Sequence, residues 1–342
     1  MSQENPEEKV QGSFFDSRGM STREAAVGWA QALNVMFDVR IGEGVDHFQG
    51  QAGGYALDQL LLGRSRSTAQ AFDRSRYRTA RDGLSNYLLQ FYVEGSCGQR
   101  NSASEAWTRP GDLLIIDLAQ PLATATSDFE NLNLFIPRRL LAPLLTAPDT
   151  LHLTVLRREE PLVALLLGHL QMLIELAPSL TRSQAAKLVR PTVELAAATI
   201  NGQIDDTLAT SANQSLLEQI CHSLETQLTD RSLTAETVAG RFGISERKLY
   251  YLFKELGGFS GYVRQRRLHA VRARLAEPEA GPETIASISE VYGFTHRSSF
   301  VSAFRGLYGM TPREFRGLAA ARAPMLDAGS PADWRRWIAE LR

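Results

Sequence analysis

The segment Val238–Phe253 constrains the fold of this chain more than any other. It places the small residue Ala239 four positions before Gly243, and apolar residues recur around both at helical spacing. A helix-turn-helix needs a small residue where its helices cross and a glycine in the turn, where the backbone tends to adopt positive φ. Ser245 follows as a predicted N-cap of the second helix. The outer face of that helix would carry Arg247, Tyr250, Tyr251 and Lys254.

The same arrangement returns further along the chain. Here Ser289 is the small residue and Gly293 the turn residue, with a turn one residue longer than in the first unit. Between the two units, apolar residues recur at helical spacing over Tyr262–Leu275, which predicts one long connecting helix. After the second unit, Thr311 is positioned to cap a last helix that Pro312 would begin. The order of these parts predicts a helical domain with two tandem helix-turn-helix units.

The net charge of the chain conceals a local asymmetry. The sequence of 342 residues has a formal net charge of −1. Between Arg241 and Arg274, nine Lys and Arg side chains accompany only two acidic ones, Glu246 and Glu255. A basic segment within an otherwise acidic chain indicates a local surface for nucleic acid. Charge alone is explained equally well by a solvated basic helix face.

The two units, the connecting helix and the closing segment Gly309–Arg316 together resemble the DNA-binding domain of the AraC/XylS family of transcription regulators. The resemblance covers about residues 216–318. It implies that two recognition helices enter successive major grooves, about 34 Å apart. Base contacts are then expected from Arg247, Tyr250, Tyr251, Arg297, Ser298, Val301 and Ser302. Phosphate contacts, which set affinity without reading sequence, are expected from Lys254, Arg264, Arg267 and Arg305.

The two recognition helices offer unequal chemistry. The first presents an arginine, which can grip guanine with two hydrogen bonds, and two tyrosines. The second offers mainly Arg297 beside small side chains, so it would read fewer bases and depend more on DNA shape. We therefore expect the first unit to dominate sequence specificity.

The N-terminal half has a different pattern, with short alternating segments between Gly, Asp, Asn and Pro. Candidate strands are 36–41, 54–62, 69–72, 86–93, 98–100, 112–117 and 131–136. Such a succession predicts an antiparallel barrel or sandwich. The strand pattern and the Pro110–Leu113 step are similar to the cupin-like effector-binding domain of the same family. We expect an α+β chain of two domains: an N-terminal antiparallel β-barrel with flanking helices, and an all-α C-terminal domain.

Composition divides the chain into five segments. Residues 1–20 are polar and predicted to be flexible, and Ser21 or Thr22 would cap a first helix. We expect a cupin-like effector-binding and dimerisation domain at 21–204, a linker at 205–214, the DNA-binding domain at 215–320 and a C-terminal tail at 321–342. A short amphipathic helix in the tail would place Trp334, Trp337, Ile338 and Leu341 on one side and dock back on the protein.

A small-molecule effector would bind in the barrel, where aromatic walls combine with groups that match its charge. The candidate residues are Arg74, Arg76, Arg78, Tyr87, Tyr92 and Trp107. Each aromatic residue among them could equally belong to the core. The resemblance implies a small aromatic or amino compound as effector.

Several classes of function lack their sequence signals. The two cysteines have no metal-ligand spacing, and the histidines His47, His152 and His169 are far apart along the N-terminal half. We therefore expect no metal, no cofactor and no enzymatic activity. Polar residues interrupt the most apolar stretch, 162–176, and the N-terminus lacks the apolar core of a secretion signal. These patterns predict a cytoplasmic protein without a membrane partner.

The function predicted from these parts is ligand-responsive, sequence-specific regulation of transcription, as an activator of a catabolic operon. The partners would be promoter DNA, a small-molecule effector and RNA polymerase, the last on resemblance alone. Amphipathic helices predicted within 160–204 carry excess apolar surface, which favours a homodimer, although covering their own barrel would also account for it. The alternative function is a constitutive DNA-binding regulator whose barrel serves only for dimerisation.

Overall fold

The structure of the protein is a computed structural model that describes residues 8–42, 47–100, 107–202, 211–276, 283–320, 337–338 and 341. Most of the predicted linker and of the predicted C-terminal tail, including Trp334, lies outside these residues. The N-terminal half consists of antiparallel sheets with helices, and the C-terminal half consists of helices. The predicted α+β class with two differently built halves is therefore confirmed.

Two antiparallel sheets make up the framework of the N-terminal half. The described part of the chain contains β1 Gly12–Asp16, β2 Asp38–Ile41, β3 Gly50–Leu57, β4 Leu60–Ser67, β5 Gln70–Arg74, β6 Tyr87–Glu94, β7 Cys97–Gln99, β8 Leu113–Asp117, β9 Leu122–Thr126, β10 Phe129–Ile136 and β11 Thr154–Leu156. The larger sheet has seven strands in the order β1-β3-β4-β10-β6-β8-β11, and the smaller has four in the order β2-β5-β9-β7. The strands form two sheets, which do not close into the single barrel that we predicted.

Some strand boundaries also differ from the sequence-based expectation. The segment 54–62 spans two strands, because the chain reverses at Asp58, which has a φ of 56°. Residues 12–16, predicted to be flexible, pair with β3 as an edge strand. The strands β9 and β11 were not predicted. In β9 the buried positions include two threonines and the outward ones are alanines, and β11 is only three residues long, so neither shows a clear apolar-polar alternation in sequence.

The helices of the N-terminal half cover one face of the larger sheet and one edge of the smaller. They are α1 Thr22–Leu33, α2 Arg76–Asp82, α3 Arg138–Leu141, α4 Pro161–Leu176 and α5 Arg182–Asn201. A capping box begins α1, because Ser21 and Glu24 exchange hydrogen bonds between side chain and backbone, as predicted. Residues from α4 and α5 join the larger sheet in one apolar core, and α1 joins a second core between the sheets.

The segment Pro161–Ser179, which contains α4, is long and apolar enough to cross a membrane when judged by length and composition alone. The structure gives it another environment, since Val163, Leu166 and Leu170 are buried against the larger sheet. The opposite side of α4 remains exposed. Such a helix is weak evidence for a membrane span, because a core helix of a soluble protein passes the same test.

The C-terminal half is built on one long helix. Its helices are α6 Ser211–Glu225, α7 Ala235–Arg241, α8 Glu246–Leu252, α9 Phe259–Ala276, α10 Ile285–Val291, α11 Arg297–Tyr308 and α12 Pro312–Ala320. The first half of α9 packs with α6, α7 and α8, and its second half packs with α10, α11 and α12. The connecting helix predicted over 262–275 is therefore present, and each helix-turn-helix unit has its own small core.

The two halves of the chain contact each other extensively. Ala80 of α2 is buried in the core of the second helix-turn-helix unit. At the other end of the chain, Trp337, Ile338 and Leu341 are buried in the core between the two sheets. These described residues of the tail dock back on the protein, in agreement with the expectation from their spacing.

Candidate DNA interface and effector cavity

The two helix-turn-helix units are closed by the same backbone contacts. Gly243 has a φ of 64°, and the N–H of the residue after it donates to the Ala239 carbonyl at 3.0 Å. Gly293 has a φ of 80°, and the following N–H donates to the Ser289 carbonyl at 3.0 Å. A side chain is disfavoured at these φ values, because its Cβ would crowd the next carbonyl oxygen. Both predicted turns are therefore confirmed.

The helix α8 exposes the side chains that we expected to read bases in the first unit. Ser245 caps it by accepting a hydrogen bond from the Lys248 N–H at 3.2 Å. Leu249 is buried beneath, and Lys248 Nζ lies 5.5 Å from the ring centroid of Tyr251. The exposed residues of the helix include Arg247, Tyr250 and Tyr251. This face thus combines positive charge with aromatic rings.

The helix α11 borders a shallow groove that is open to solvent. The groove is lined by Thr295, His296, Arg297, Ser298, Val301, Ser302, Arg305 and Thr311. It brings together every residue of the second unit for which we expected contact with bases or phosphates. Phe300 and Phe304 are buried below it and hold the helix on its core. His296 stands at the N-cap but makes no side-chain capping bond.

The expected phosphate contacts divide into two groups. Lys254, Arg264 and Arg305 are exposed on the C-terminal half. Arg267 is half-buried and donates from Nε to the Leu228 carbonyl at 2.9 Å and from Nη2 to the Asp230 carbonyl at 2.7 Å. Because these bonds hold its guanidinium against the loop after α6, we assign Arg267 a structural role and withdraw it from the phosphate contacts.

A cavity of about 60 Å³ lies between the two sheets and α1. Its wall contains seven aromatic residues: Phe14, Phe15, Trp29, Phe37, Phe72, Phe129 and Phe135. Trp29 is fixed in place by a hydrogen bond of 2.8 Å from its Nε1 to Gln70 Oε1. The ring of Phe15 lies 6.0 Å from that of Trp29, between centroids. A mostly apolar lining with a few polar groups is typical of small-molecule sites, although this cavity is smaller than the roughly 300–1,000 Å³ that such sites usually have.

A row of neutral polar side chains crosses one wall of the cavity. Gln90 Nε2 donates to Asn133 Oδ1 at 2.8 Å, and Asn133 Nδ2 donates to Asn131 Oδ1 at 2.8 Å. Ser65 Oγ lies 3.4 Å from the same Asn133 nitrogen. We refer to Gln90, Asn133, Asn131 and Ser65 as the amide row. It gives an otherwise apolar cavity a hydrogen-bonding wall.

Family comparisons match both halves of the chain. A family model described as an AraC-binding-like domain matches residues 32–201, and one described as a helix-turn-helix domain matches residues 238–317. The probable transcription factor PqrA of Proteus vulgaris is 31% identical over 106 residues, which cover 84% of that relative and 30% of this chain. The chain belongs to the AraC/XylS family of transcription regulators.

Other relatives extend over both halves of this AraC/XylS family member. The transcriptional activator NphR of a Rhodococcus species is 25% identical over 308 residues, covering 88% of this chain and 91% of the relative. XylDLEGF operon transcriptional activator 1 of Pseudomonas putida is 25% identical over 242 residues, 67% of this chain and 74% of the relative. The crystal structure of the AraC-like transcriptional activator CuxR shares the fold, with a TM-score of 0.52 and 23% identity over 76% of this chain and 94% of that chain.

The residues that we expected to bind an effector do not line the cavity. Arg74 is fully buried and forms a bidentate ion pair with Asp82, at 2.6 and 2.7 Å. Tyr87 donates to the Pro148 carbonyl at 2.9 Å, on the opposite side of the larger sheet. Arg76, Arg78, Tyr92 and Trp107 are likewise absent from the cavity wall. Charge and aromatic character thus selected Arg74 and Tyr87, whose partners belong to the fold and not to the cavity.

The amide row is the feature that sequence reasoning missed. Asn131 and Asn133 alternate with Leu132 and Leu134 inside a strand that we had predicted. Two asparagines on one face of a buried strand are costly unless they find partners, so they indicate a polar site within the core. This signal was present in the sequence. Gln90 and Ser65 could be added only once the pairing of β10 with β6 and β4 was known.

Two of the mispredicted arginines connect the cavity to the DNA-binding half. Arg74 Nη1 donates to the carbonyl of Met36, which lines the cavity, at 2.8 Å. Arg78 Nη1 donates to the Asn34 carbonyl at the end of α1, at 2.7 Å. Both arginines thereby join the cavity wall to α2, whose Ala80 is buried in the second helix-turn-helix unit. The arrangement connects one short helix to the cavity side by hydrogen bonds and to the core of the second unit by packing.

A buried cluster of charges forms another part of this interface. Asp149 of the N-terminal half accepts from Arg138 Nη2 at 2.6 Å and from Arg266 Nη1 of α9 at 2.8 Å. Arg266 also binds Glu225 through two hydrogen bonds, of 2.5 and 2.7 Å. Next to them, burial lowers the pKa of His269 to about 3, and although Asp149 opposes this shift, the nearby Arg138 and Arg266 reinforce it. His269 is therefore neutral near pH 7 while the halves are docked.

The described residues were also compared with the arrangements that bind metal ions. Among the residues for which the structure gives a placement, no group of three or more His, Cys, Asp or Glu side chains is arranged to hold a metal ion. The relatives found for this family member are transcription regulators. The cavity and the helix-turn-helix surfaces are the sites on which a function can be built.

Proposed function

We propose that this protein is a ligand-responsive transcription activator, in which an effector in the cavity controls how the helix-turn-helix units bind promoter DNA. The observation that supports this most is the position of α2. One end of it is hydrogen-bonded to the cavity wall through Arg74, and Ala80 on the same helix is buried in the second unit. Relatives named as transcriptional activators support the direction of the response.

DNA would be read by the two exposed recognition surfaces. On α8, Arg247, Tyr250 and Tyr251 would contact bases; on α11, Arg297, Ser298, Val301 and Ser302 would do so. Lys254, Arg264 and Arg305 would contact phosphates. Hydrogen bonds to base edges would supply specificity, and the phosphate contacts would supply salt-dependent affinity. The protein would act in the cytoplasm and recruit RNA polymerase once bound.

The cavity favours this function over constitutive regulation. A domain that served only for dimerisation would need no cavity with aromatic walls and an internal amide row. An effector there would push on the wall at Met36, whose carbonyl Arg74 joins to Asp82 at the end of α2. A ligand shifts such an equilibrium only through a difference in affinity for the two arrangements.

The test asks whether α2 transmits effector binding from the cavity to the second helix-turn-helix unit or only contributes to the fold. Ala80→Glu would place a charge in the core of the second unit, whereas Tyr77→Glu places the same charge on an exposed position of the same helix. We expect Ala80→Glu to bind promoter DNA and activate a reporter without effector, while Tyr77→Glu keeps the response. DNA binding by Ala80→Glu that still requires effector, in protein with native circular dichroism, would contradict the coupling.

A homodimer would be formed through α4. Its outer side carries four exposed apolar side chains: Leu162, Leu165, Met172 and Leu176. A second copy of the same helix would bury them, as commonly happens where one subunit exposes a continuous apolar stripe. We expect Leu165→Glu to lower the mass measured by light scattering from that of a dimer to that of a monomer. Lys187→Glu, on α5, serves as the control, and an unchanged mass for both would exclude α4 as the interface.

A further inference from the structure

The pleat of β10 sorts neutral and charged side chains onto opposite faces of the larger sheet. Asn131 and Asn133 point toward the cavity, where they are 2% and 6% exposed. Glu130 lies on the other face and pairs with Arg66 at 3.1 Å and with Arg64 at 3.6 Å. Since successive side chains of a strand point to opposite faces, this separation is fixed by the sequence of the strand. The formal charges near the cavity therefore lie behind the sheet, where they are paired with one another.

The cavity wall itself contains no charged side chain among the described residues. Its polar members are the amide row together with Ser13, and the remaining members are aromatic, aliphatic or glycine. An ion placed here would lose its hydration without gaining an opposite charge, which is strongly unfavourable. An uncharged ligand would lose only weaker contacts with water and could exchange them for hydrogen bonds with the row. The wall thus selects against ions by desolvation.

The amide row has hydrogen-bonding capacity left over. Gln90 donates through Nε2, and the hydrogen bonds made by the described residues leave its Oε1 without a donor. Ser65 Oγ serves as an acceptor for Asn133, so its proton remains available to another acceptor. One free acceptor and one free donor on the same wall fit a substituent that both donates and accepts. A hydroxyl or a carboxamide has this property.

The size of the cavity adds a constraint on shape. An apolar cavity of about 150 Å³ is large enough for benzene, so a space of about 60 Å³ must widen before it takes an aromatic ring. Phe14 on the edge strand β1 borders both the cavity and the groove outside it, and its side chain is 62% exposed. It is the one exposed aromatic side chain among the described residues of the wall. A flat ring could enter by displacing it and then lie between Phe15, Phe72 and Phe129.

We propose that the cavity binds an uncharged, flat aromatic molecule carrying a hydroxyl or carboxamide group, which the amide row recognises through Gln90 and Ser65. This inference rests on the proposed function, in that the bound molecule is the effector. It deepens that function by assigning the chemical class of the ligand and the residues that select it. Aromatic carboxylates and aromatic ammonium ions are excluded from the cavity.

The experiment compares probes that share a ring and differ in one substituent. Benzamide, phenol, toluene, benzoate and benzylammonium are titrated into the full-length protein at neutral pH, with calorimetry and thermal unfolding as readouts. We expect benzamide or phenol to bind most tightly, toluene more weakly and the two ions weaker again, by about tenfold or more at each step. Equal binding of benzoate and benzamide would overturn the proposed class of ligand.

Variants test which residues of the amide row recognise the polar group of the probe. Gln90→Leu and Ser65→Ala each remove one hydrogen-bonding group, and we expect each to weaken the binding of benzamide or phenol by about tenfold while leaving that of toluene unchanged. Arg66→Ala, which alters the residue next to Ser65 but on the opposite face of β4, should bind every probe as the wild type does. If Gln90→Leu fails to fold, Ser65→Ala still tests the proposal, because it removes only one hydroxyl group. A loss of binding in Arg66→Ala, with binding retained in the other two, would overturn the assignment.

The outcomes also distinguish this inference from the proposed function. If an ion binds in the cavity and triggers activation at the promoter, only the proposed class of ligand is wrong. If no probe binds and promoter activation needs no effector, then both the class and the effector role of the cavity are wrong. If benzamide or phenol binds but does not change promoter activation, the recognition stands and the regulatory role fails.

Discussion

The two helix-turn-helix units have the same backbone and different surroundings. Each turn is closed by a left-handed glycine and by a hydrogen bond of 3.0 Å to the small residue of the first helix. The core of the first unit is made from C-terminal residues alone, whereas the core of the second includes Ala80 from the N-terminal half. The packing of the N-terminal half into the second core alone makes the second unit the better candidate for the place where an effector would act.

The two units also differ in the side chains that their second helices, α8 and α11, expose. The exposed face of α8 carries Arg247 and two tyrosines, and α11 presents Arg297 beside serines and a valine. Ser245 caps α8, but His296, the N-cap residue of α11, makes no side-chain capping bond. The first unit is thus better equipped to read bases and better defined at the start of its recognition helix. These differences can be tested one at a time.

The largest expected effect concerns the two arginines. Losing a bidentate contact to guanine costs about 1–3 kcal/mol, or roughly 5- to 150-fold in affinity. We expect Arg247→Ala to fall near the upper end of this range and Arg297→Ala near the lower end, because α8 offers the side chains better suited to contact bases. Fluorescence anisotropy with promoter DNA at fixed salt measures both, and Arg313→Ala, exposed on α12, is the control. A greater loss in Arg297→Ala would reverse the ranking of the units.

The second expected effect is on the docking of the second unit and depends on pH. His269 of α9 faces Asp149, Arg138 and Arg266, and it bonds to Tyr308 of α11 at 3.0 Å. Its pKa is lowered to about 3 when docked and is near 6.5 when exposed. Because the docked state holds His269 neutral, docking is most stable above pH 6.5. This stability is lost as the pH falls toward 3, since the undocked histidine takes up a proton first.

At about pH 5, protonation of the exposed histidine should weaken docking by about 2 kcal/mol. Hydrogen exchange of α9 and α12 at several pH values measures the loss of protection. His269→Gln cannot take up a proton and should show a flatter pH profile. Identical profiles in the variant and the wild type would exclude His269 as the source of the pH dependence.

The parts of the DNA-binding half that were predictable are those specified by local sequence. Gly243 and Ser245 act within their own turn and cap, so their roles follow from the residues beside them. Arg267 was misassigned because its partners, the Leu228 and Asp230 carbonyls, lie in a loop well before it in the chain. An exposed phosphate contact and a half-buried structural arginine look alike in a sequence.

The N-terminal half was predictable in class and less so in detail. Alternation identified β10, but the role of its two asparagines was missed, and their partner strands came only from the fold. Arg74 and Arg78 were expected to match the charge of a ligand, and their partners are instead Asp82 and the end of α1. A short motif shows which charged residues are present, and only tertiary packing shows what they bind.

The third expected effect compares the two turn glycines. Replacing a left-handed glycine with alanine costs about 1–2 kcal/mol. At Gly243 nothing lies within 4 Å of the added Cβ, whereas at Gly293 the Cβ would stand 2.9 Å from Arg267 Nη1. We expect Gly293→Ala to lower the unfolding temperature more than Gly243→Ala. Gly240→Ala, within α7 and also in open space, should raise it, since alanine favours a helix; equal losses at Gly243 and Gly293 would mean that Arg267 moves aside freely.

The smallest expected effect concerns the helix caps and should have opposite signs in the two units. Ser245→Ala removes a side-chain acceptor from the Lys248 N–H and should destabilise α8 by about 1 kcal/mol. His296→Ser supplies an acceptor where α11 has none and should stabilise that helix by a comparable amount. Hydrogen exchange in the first turn of each helix resolves the two effects separately. If the serine at 296 brings no added protection, the longer second turn holds that residue where its hydroxyl cannot reach the exposed N–H groups, and the difference between the units lies in the turn itself.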